Sequence, residues 1–330
     1  MSAPVAEISP TKTPAPPSRE RAGVAFAPPG KWGDRLFLGV TFSFSAGIIL
    51  LAAGIGFSLW SNSALARKAF GFRFLIDQVW DPVAGNFGAL TFLFGTLLTS
   101  FLALLIAVPL GVGAALFLSE LAPRRISDLL AFLTELLAAV PSVIYGLLGI
   151  FVLVPLVRRF LEPVLGKTLG FLPFFRGPQY GIGFLAAGLV LSIMVIPFII
   201  SVSREILLSV PPLLREAALA LGATRWEVAT TVALPYARSG IMGAIFLALA
   251  RALGETMAVT MVIGNTPILT ASLFSPGYTM ASVLANEFSE ASGDLYLHAL
   301  VEIALVLFAV TLIINAGAQL LVWGVQRKKR

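Results

Sequence analysis

Residues 87–118 read FGALTFLFGTLLTSFLALLIAVPLGVGAALFL and contain no charged side chain. A helix that crosses a bilayer requires about 20 consecutive apolar residues, so this stretch is long enough to span a membrane. The rest of the chain has the same character, because 58% of its 330 residues are hydrophobic and only 12% are charged. A water-soluble globule of this composition would expose large apolar patches. The sequence therefore predicts an all-α integral membrane protein that is surrounded by the lipid bilayer.

Charge-poor runs recur along the chain and predict six transmembrane helices. Two more runs lack charged residues altogether, and three others contain one or two. The predicted spans are residues 36–60, 87–118, 129–157, 182–202, 241–264 and 299–323. Prolines and a glycine interrupt a seventh apolar run, residues 266–285, which is predicted to form an outer loop. The transmembrane domain is thus expected to cover residues 35–325.

Lysines and arginines are distributed unevenly between the two sides of this topology. An even number of spans puts both termini on one side, and the segments on that side hold 15 of the 23 basic residues. Because basic loops are retained in the cytoplasm, both termini are predicted to be cytoplasmic, including the basic C-terminus at residues 326–330. Seven of the 21 prolines fall within residues 1–34, a composition that predicts a disordered cytoplasmic tail.

The composition argues against several classes of function. The chain has no cysteine and a single histidine, His298, which excludes thiolate metal sites and a catalytic histidine cluster. Its basic residues are scattered between apolar runs, which favours a topology signal over nucleic-acid binding. Gly166-Lys167-Thr168 matches the end of a phosphate-binding P-loop, but Leu161 occupies the position of the first glycine in that motif. The sequence therefore predicts no enzyme activity, no cofactor and no metal site.

The longest predicted cytoplasmic segment after the N-terminal tail is the loop of residues 203–240. Pro212 fits the first position of a helix, where no amide donor is needed. Gly222 fits the left-handed residue that ends a helix. Thr224 and Glu227 have the spacing of a capping box, which starts a second helix. The loop is therefore predicted to contain two short helices separated by a glycine turn.

The second of these helices is predicted over residues 225–233 and is expected to end at Leu234-Pro235. The unit presents apolar side chains at Leu219, Leu221 and Trp226. Two interpretations remain open from the spacing alone. The unit is either a surface hairpin that packs on its own helix bundle, or a docking element for a partner protein.

The same loop resembles a known family. Glu216-Ala217-Ala218 is followed after three residues by Gly222, and after nine more by Val232, one residue and Leu234-Pro235. This pattern resembles the EAA loop of MetI-like ABC-importer permeases. The resemblance implies that residues 203–240 dock on a cytoplasmic ATPase. It assigns this coupling role to Glu216, Ala217, Ala218, Gly222, Leu234 and Pro235.

A second motif narrows the resemblance. Residues 251–260, RALGETMAVT, and residues 262–265, VIGN, are similar to the phosphate-specific permease family PstC. Further similar stretches are residues 139–146 and 285–288, and the resemblance covers about residues 35–325. It implies a multi-pass permease subunit that imports inorganic phosphate across the bacterial plasma (inner) membrane. The implied partners are a PstA-like permease subunit, a PstB-like ATPase dimer that hydrolyses ATP, and a PstS-like phosphate-binding protein outside.

Arg251 and Glu255 are two charges within the fifth predicted span. They are expected to lie one helical turn apart and to share a face. Each charge costs about 2.5–3.5 kcal/mol at the centre of a membrane helix, so such residues face each other or a cavity. They are either a structural pair or part of the translocation pathway. The resemblance favours the pathway, because a guanidinium group can donate two hydrogen bonds to phosphate oxygens.

The sequence leaves three alternatives to a phosphate importer. The first is an importer permease for another oxyanion, such as sulfate or molybdate. The second is a self-contained secondary transporter or channel, which would not need the loop of residues 203–240. The third is an intramembrane enzyme, which the lack of a metal or nucleophile cluster disfavours.

Overall fold

The computed structural model describes residues 31–327, and most of these residues are helical. Within that range, six helical segments are long and apolar enough to cross a membrane, and they are Trp32–Asn62, Leu90–Leu121, Ser142–Leu169, Phe184–Leu208, Arg225–Leu253 and Asp294–Gly324. The predicted all-α fold with six membrane helices is confirmed, and the chain is a multi-pass membrane protein. Residues 1–30 of the predicted tail and residues 328–330 of the basic C-terminus lie outside the described residues. Residues 31–34 and 326–327 are helical.

The helices and strands follow one another in a simple order. The α-helices are α1 (Lys31–Asn62), α2 (Ala64–Phe70), α3 (Arg73–Ile76), α4 (Leu90–Leu116), α5 (Arg124–Ala138), α6 (Ser142–Leu148), α7 (Val154–Leu156), α8 (Glu162–Leu169), α9 (Phe184–Leu208), α10 (Pro212–Ala220), α11 (Arg225–Glu227), α12 (Leu234–Leu253), α13 (Met257–Ile263), α14 (Met280–Glu287) and α15 (Asp294–Arg327). Wider π-helical turns occur at Phe117–Leu121, Gly149–Leu153, Val157–Leu161 and Val228–Ala233, and a 3-10 turn occurs at Pro173–Phe175. Two short antiparallel strands, β1 (Trp80–Asp81) and β2 (Asn86–Phe87), pair Trp80 with Phe87.

Residues 31–54, the larger part of α1, belong to one compact unit. Their apolar side chains are exposed around the helix, as expected for a helix that faces lipid. Two of its hydroxyl groups are satisfied within the helix, since Ser43 and Ser45 each donate a hydrogen bond to the carbonyl four residues earlier at 2.8 Å. Such internal satisfaction is what a bilayer requires of every polar group.

The second compact unit begins at Ile55 and is organised around α9, which packs most extensively against α4. Small residues bring these two helices close together. A β-carbon on Gly188 would lie 2.8 Å from Cβ of Leu102, and one on Gly111 would lie 2.7 Å from Cγ2 of Ile199. Close packing at small residues drives the association of helices in lipid. The α4–α9 pair therefore forms the packed centre of this unit.

The structure divides the third predicted span, residues 129–157. Residues before the break belong to α5, and the helical run that is long enough to cross a membrane starts at Ser142 instead of residue 129. Pro141 explains the break, because a proline disfavours helical backbone at the residue that precedes it. Pro141 itself has φ −57° and ψ 139°, which is not helical. Apolar composition alone did not separate α5 from the membrane helix that follows it.

The fifth predicted span, residues 241–264, is divided as well. α12 ends at Leu253, and α13 begins at Met257. Glu255 stands between them, and its Oε1 accepts a hydrogen bond from the backbone amide of Ala258 at 3.1 Å. An amide at the start of a helix lacks an acceptor within that helix, and this side chain supplies one. The chain therefore starts a new helix here instead of continuing the old one.

Candidate functional site

The α10–α11 hairpin, defined as residues 212–227, has the local structure that its sequence predicts. Pro212 occupies the first turn of α10, and Gly222 adopts a left-handed backbone with φ +91°. The capping box at the start of α11 is complete. The Thr224 amide donates to Glu227 Oε2 at 2.7 Å, and the Glu227 amide donates to Thr224 Oγ1 at 3.3 Å. Signals within the sequence of the hairpin itself thus predict its two helices and the turn between them.

Leu234 and Pro235 do not end the second helix of the hairpin, contrary to the sequence prediction. After α11 the chain forms a π-helical turn at Val228–Ala233 and continues directly into α12. Pro235 lies just after this wider turn, so its missing amide donor falls where the regular hydrogen-bond pattern of the helix already changes. The hairpin and Arg251 therefore share one helical run, Arg225–Leu253.

The surface of the hairpin is apolar and exposed. No residue of α10 is buried. Leu213 is 74% exposed, Leu221 is 90% exposed and Trp226 is 59% exposed. An apolar patch of this kind, on a segment that also carries charges, is typical of a protein interaction site.

The structure brings together only part of the predicted coupling set. Four of the six residues lie in α10 or in the turn after it, and they are Glu216, Ala217, Ala218 and Gly222. Glu216 is exposed and forms no hydrogen bond or ion pair with any residue between 31 and 327. Leu234 and Pro235 lie beyond the π-helical turn, where Leu234 packs against a buried cluster that includes Ala233 and Ala237. The hairpin tip and the Leu-Pro pair are therefore separate parts of the predicted site.

Arg215, which sequence reasoning missed, fastens the hairpin to the helix bundle. Its Nη2 lies 2.7 Å from Oε1 of Glu120, and its Nε donates to both Glu120 oxygens at 3.1 and 3.2 Å. Nη1 donates to the carbonyl of Val210 and Nη2 to the carbonyl of Leu207, both at 2.7 Å. The Glu120 side chain is only 7% exposed and the Arg215 side chain 20%. The sequence feature that could have pointed to Arg215 is its position directly before Glu216 of the predicted coupling set.

A second arginine on the same side of the bundle makes a looser contact. Arg204 in α9 donates to Ser127 Oγ at 3.2 Å and lies 3.5 Å from Asp128 and 3.3 Å from Glu205. Both carboxylates are largely exposed, at 73% and 68%. Exposed pairs of this kind contribute little to stability. The Arg215–Glu120 contact is therefore the more buried of the two cross-links.

Arg251 and Glu255 do not form the one-turn pair that the sequence predicts. Arg251 lies in the last turn of α12, whereas Glu255 follows the end of that helix. Among the described residues, no carboxylate lies within 4.0 Å of the Arg251 guanidinium. The guanidinium carbon instead lies 5.8 Å from the centre of the Phe198 ring. The prediction was wrong because the helix ends between the two charged residues.

The break between α12 and α13 is the first of two irregular segments in this region. After α13, Gly264 has φ +92° and Asn265 has φ +49°, both in the left-handed region. The Asn265 Nδ2 donates to the carbonyl of Thr260 at 3.0 Å, while its Oδ1 is buried without a hydrogen-bond partner among the described residues. Irregular backbone at membrane depth is tolerated only inside protein or beside a water-filled cavity.

These features define what the region can do chemically. It holds a guanidinium group with an aromatic neighbour and no carboxylate partner, beside interrupted helices. Such a group can donate to a passing anion, because its donors are not committed to a buried counter-charge. Within residues 31–327, no group of three histidine, aspartate or glutamate side chains could hold a metal ion.

Comparisons with known proteins agree with this architecture. The sequence model of the family described as binding-protein-dependent transport system inner membrane component matches residues 107–328. A bacterial alginate ABC transporter includes a chain with a TM-score of 0.55 and 18% identity over 87% of this chain and 95% of that chain. That likeness shows the fold alone.

Relatives named for phosphate transport cover most of the chain. It is 45% identical over 290 residues to the phosphate transport system permease protein PstC of Mesorhizobium japonicum, covering 87% of this chain and 89% of the relative. It is 46% identical over 302 residues to the protein of the same name from Haemophilus influenzae, covering 90% and 96%. A probable PstC of Methanocaldococcus jannaschii is 38% identical over 273 residues, covering 81% and 86%. The resemblance to the PstC family is therefore confirmed.

Proposed function

Because the chain belongs to the family of binding-protein-dependent transport system inner membrane components, we propose that it is the permease subunit of an ATP-driven importer of inorganic phosphate. The observation that carries the proposal is the 45–46% identity to phosphate transport permeases along nearly the whole chain. The bacterial inner membrane is the location that this function requires. In this role the chain holds no nucleotide and catalyses no reaction.

The hairpin is the proposed contact with the ATPase that hydrolyses ATP. Its exposed Leu213, Leu221 and Trp226 supply the apolar surface that a groove on the partner would cover. Exposed Glu216 supplies a charge that pairs with no residue between 31 and 327. Aromatic and leucine anchors of this kind, surrounded by polar residues, are typical of protein interfaces. This assignment places the hairpin and both termini in the cytoplasm.

The region around Arg251 is proposed to be the part of the translocation pathway that this chain contributes. Near Arg251, Met257 is 51% exposed in the isolated chain, and Gly254 is exposed as well. A PstA-like subunit would supply the facing half, and a PstS-like protein would deliver phosphate from outside. Arg251 would offer the anion a transient positive partner, since conduction requires binding that is weak enough to release the ion. Glu255 would contribute by holding the start of α13 in place.

Reconstitution tests the function directly. The chain is co-purified with its partner permease, ATPase and phosphate-binding protein, and uptake of radiolabelled phosphate into proteoliposomes is measured. We expect uptake to require ATP and the binding protein, and to resist competition by sulfate and molybdate. Uptake by the chain alone without ATP would identify a channel or secondary transporter. Preferential uptake of sulfate or molybdate would identify a different oxyanion importer.

A further inference from the structure

The attachment of α10 to the helix bundle does not rely on a fully buried side chain of its own. None of its residues is buried, whereas the other end of the hairpin continues into α12 and packs into a buried cluster that includes Ala229 and Ile241. A force applied to α10 by a partner can reach the bundle along the short connection to α9, in which Val210 is buried, and through a side chain of α10 itself. Arg215 is the side chain that connects α10 to the bundle, because it bonds to Glu120 in the π-helical turn after α4.

The geometry of that contact is suited to transmit movement. Arg215 uses all three of its nitrogens on four acceptor oxygens that belong to two different places. The Glu120 carboxylate lies in the π-helical turn that ends the α4 run, and the carbonyls of Leu207 and Val210 lie at the end of α9 and just beyond it. Planar, bidentate guanidinium contacts fix direction as well as distance. The contact therefore constrains the orientation of α10 relative to both helices.

Two adjacent residues of α10 thus have opposite surroundings. Glu216 is exposed and forms no hydrogen bond or ion pair with the described residues, whereas Arg215 is partly buried and donates hydrogen bonds from all three guanidinium nitrogens. Neighbouring residues on a helix project about 100° apart, so one can face a partner while the other faces the core.

We infer that Arg215 and Glu120 are positioning residues that transmit movement of the docked hairpin to α4 and α9. This inference deepens the proposed function and rests on it. In the importer, the ATPase would move α10, and the Arg215 fork would rotate the ends of the two packed central helices with it. ATP hydrolysis would then be linked to the pathway through this contact as well as through the continuous α11–α12 run.

The test compares Glu120→Gln and Arg215→Gln with Asp128→Asn in the reconstituted complex. All three remove one charge from an arginine–carboxylate contact on the same side of the bundle, but Asp128 contacts Arg204 and lies outside the hairpin. We expect normal amounts of co-purified ATPase in all three variants. The ratio of phosphate transported to ATP hydrolysed should fall about tenfold in the first two, as expected for losing a hydrogen bond to a charged group, and stay unchanged in the third.

A tethered variant separates transmission from simple folding support. The chain contains no cysteine, so Glu120→Cys with Arg215→Cys provides two unique thiols within it. A short bismaleimide that joins them should restore the transport ratio, whereas the same reagent on Glu120→Cys alone should not. An unchanged ratio in Glu120→Gln and Arg215→Gln overturns the inference. Loss of the ATPase, or a complex that assembles only when tethered, overturns it too, because the contact would then support docking or folding alone.

These outcomes differ from failure of the proposed function. If the unmodified complex carries no phosphate, the proposed substrate is wrong. The coupling ratio can then still be measured with the anion that the complex does carry.

Discussion

Arg215 in α10 and Arg251 in the last turn of α12 are both helical arginines, but they have different hydrogen-bond and charge partners. Arg215 meets a buried carboxylate and two backbone carbonyls, and four of its contacts measure 3.1 Å or less. Arg251 meets the face of one aromatic ring at 5.8 Å, and no carboxylate of the described chain lies within 4.0 Å of it. A guanidinium whose three nitrogens all donate within the protein fixes a structure, whereas one without such bonds can donate to a ligand.

Removing the unpaired arginine should have the largest effect. In Arg251→Ala, phosphate uptake should fall about 10- to 100-fold, because a hydrogen bond to a charged group contributes about 1.5–3 kcal/mol. The phosphate uptake of Arg251→Lys should lie between that of Arg251→Ala and that of the original chain, since an ammonium group keeps the charge but cannot form the planar fork. Radiolabelled phosphate uptake and complex yield are measured together.

Arg159→Ala is the matched control for this experiment. Arg159 also lies over a phenylalanine ring, with its guanidinium carbon 5.6 Å from the centre of Phe160, but it is exposed in the π-helical turn Val157–Leu161 of the third membrane helix. Its uptake should be normal. Equal uptake by Arg251→Ala and Arg159→Ala would remove Arg251 from the pathway.

Double-mutant cycles sharpen the contrast between the two arginines. The stability changes of Arg215→Ala and Glu120→Ala should be coupled by about 1–3 kcal/mol, as found for residues in one buried network. Arg251→Ala and Glu255→Ala should be additive within about 0.5 kcal/mol, because the helix break separates them. Denaturant unfolding of the purified complex in detergent measures both cycles. A strong coupling between Arg251 and Glu255 would show that they pair in solution.

Changing the hairpin turn should weaken ATPase binding without disturbing membrane insertion. In Gly222→Pro, the fixed φ of about −65° is incompatible with the observed +91°, and the local cost should be about 1–3 kcal/mol. Gly222→Ala should cost less, about 1 kcal/mol, because a β-carbon there meets no atom within 4 Å. Glu216→Lys should leave the fold unchanged and still reduce ATPase retention in a pull-down. Normal retention by both Gly222→Pro and Glu216→Lys would exclude the hairpin as the docking element.

The smallest effect is expected at the cap of α11. Thr224→Ala removes one half of the capping box and should destabilise the hairpin locally by about 1 kcal/mol. Hydrogen exchange should become faster at the amides of residues 224–227 only. Thr230→Ala is the control, because the Thr230 hydroxyl donates only to carbonyls of its own helix. Equal exchange in the two variants would show that the cap contributes nothing.

The parts that sequence reasoning predicted well depend on local or additive signals. Six membrane helices follow from composition, and the hairpin follows from Pro212, Gly222 and the Thr224–Glu227 spacing. The Arg215–Glu120 contact could not be predicted in this way, because 95 residues separate its partners. The break after Leu253 was missed for a different reason. Arg251 and Glu255 interrupt the apolar pattern there, but a membrane helix can contain one or two charges, so the pattern does not show that Glu255 accepts a hydrogen bond from the Ala258 amide and starts a new helix.

The π-helical turn at Val228–Ala233 has a consequence for how the chain tolerates changes in length. A π turn carries more residues per revolution than an α-helix, so it can absorb one extra residue within an otherwise regular rod. Deleting one residue there would convert the π turn to regular α-helix, and the orientation of Arg251 relative to the hairpin would stay the same. Deleting one residue between Ala244 and Ala248 would instead rotate everything beyond it by about 100°. The wide turn can therefore lose one residue without changing the orientation of the helix beyond it. Tolerated deletions in this helical run should be concentrated at Val228–Ala233.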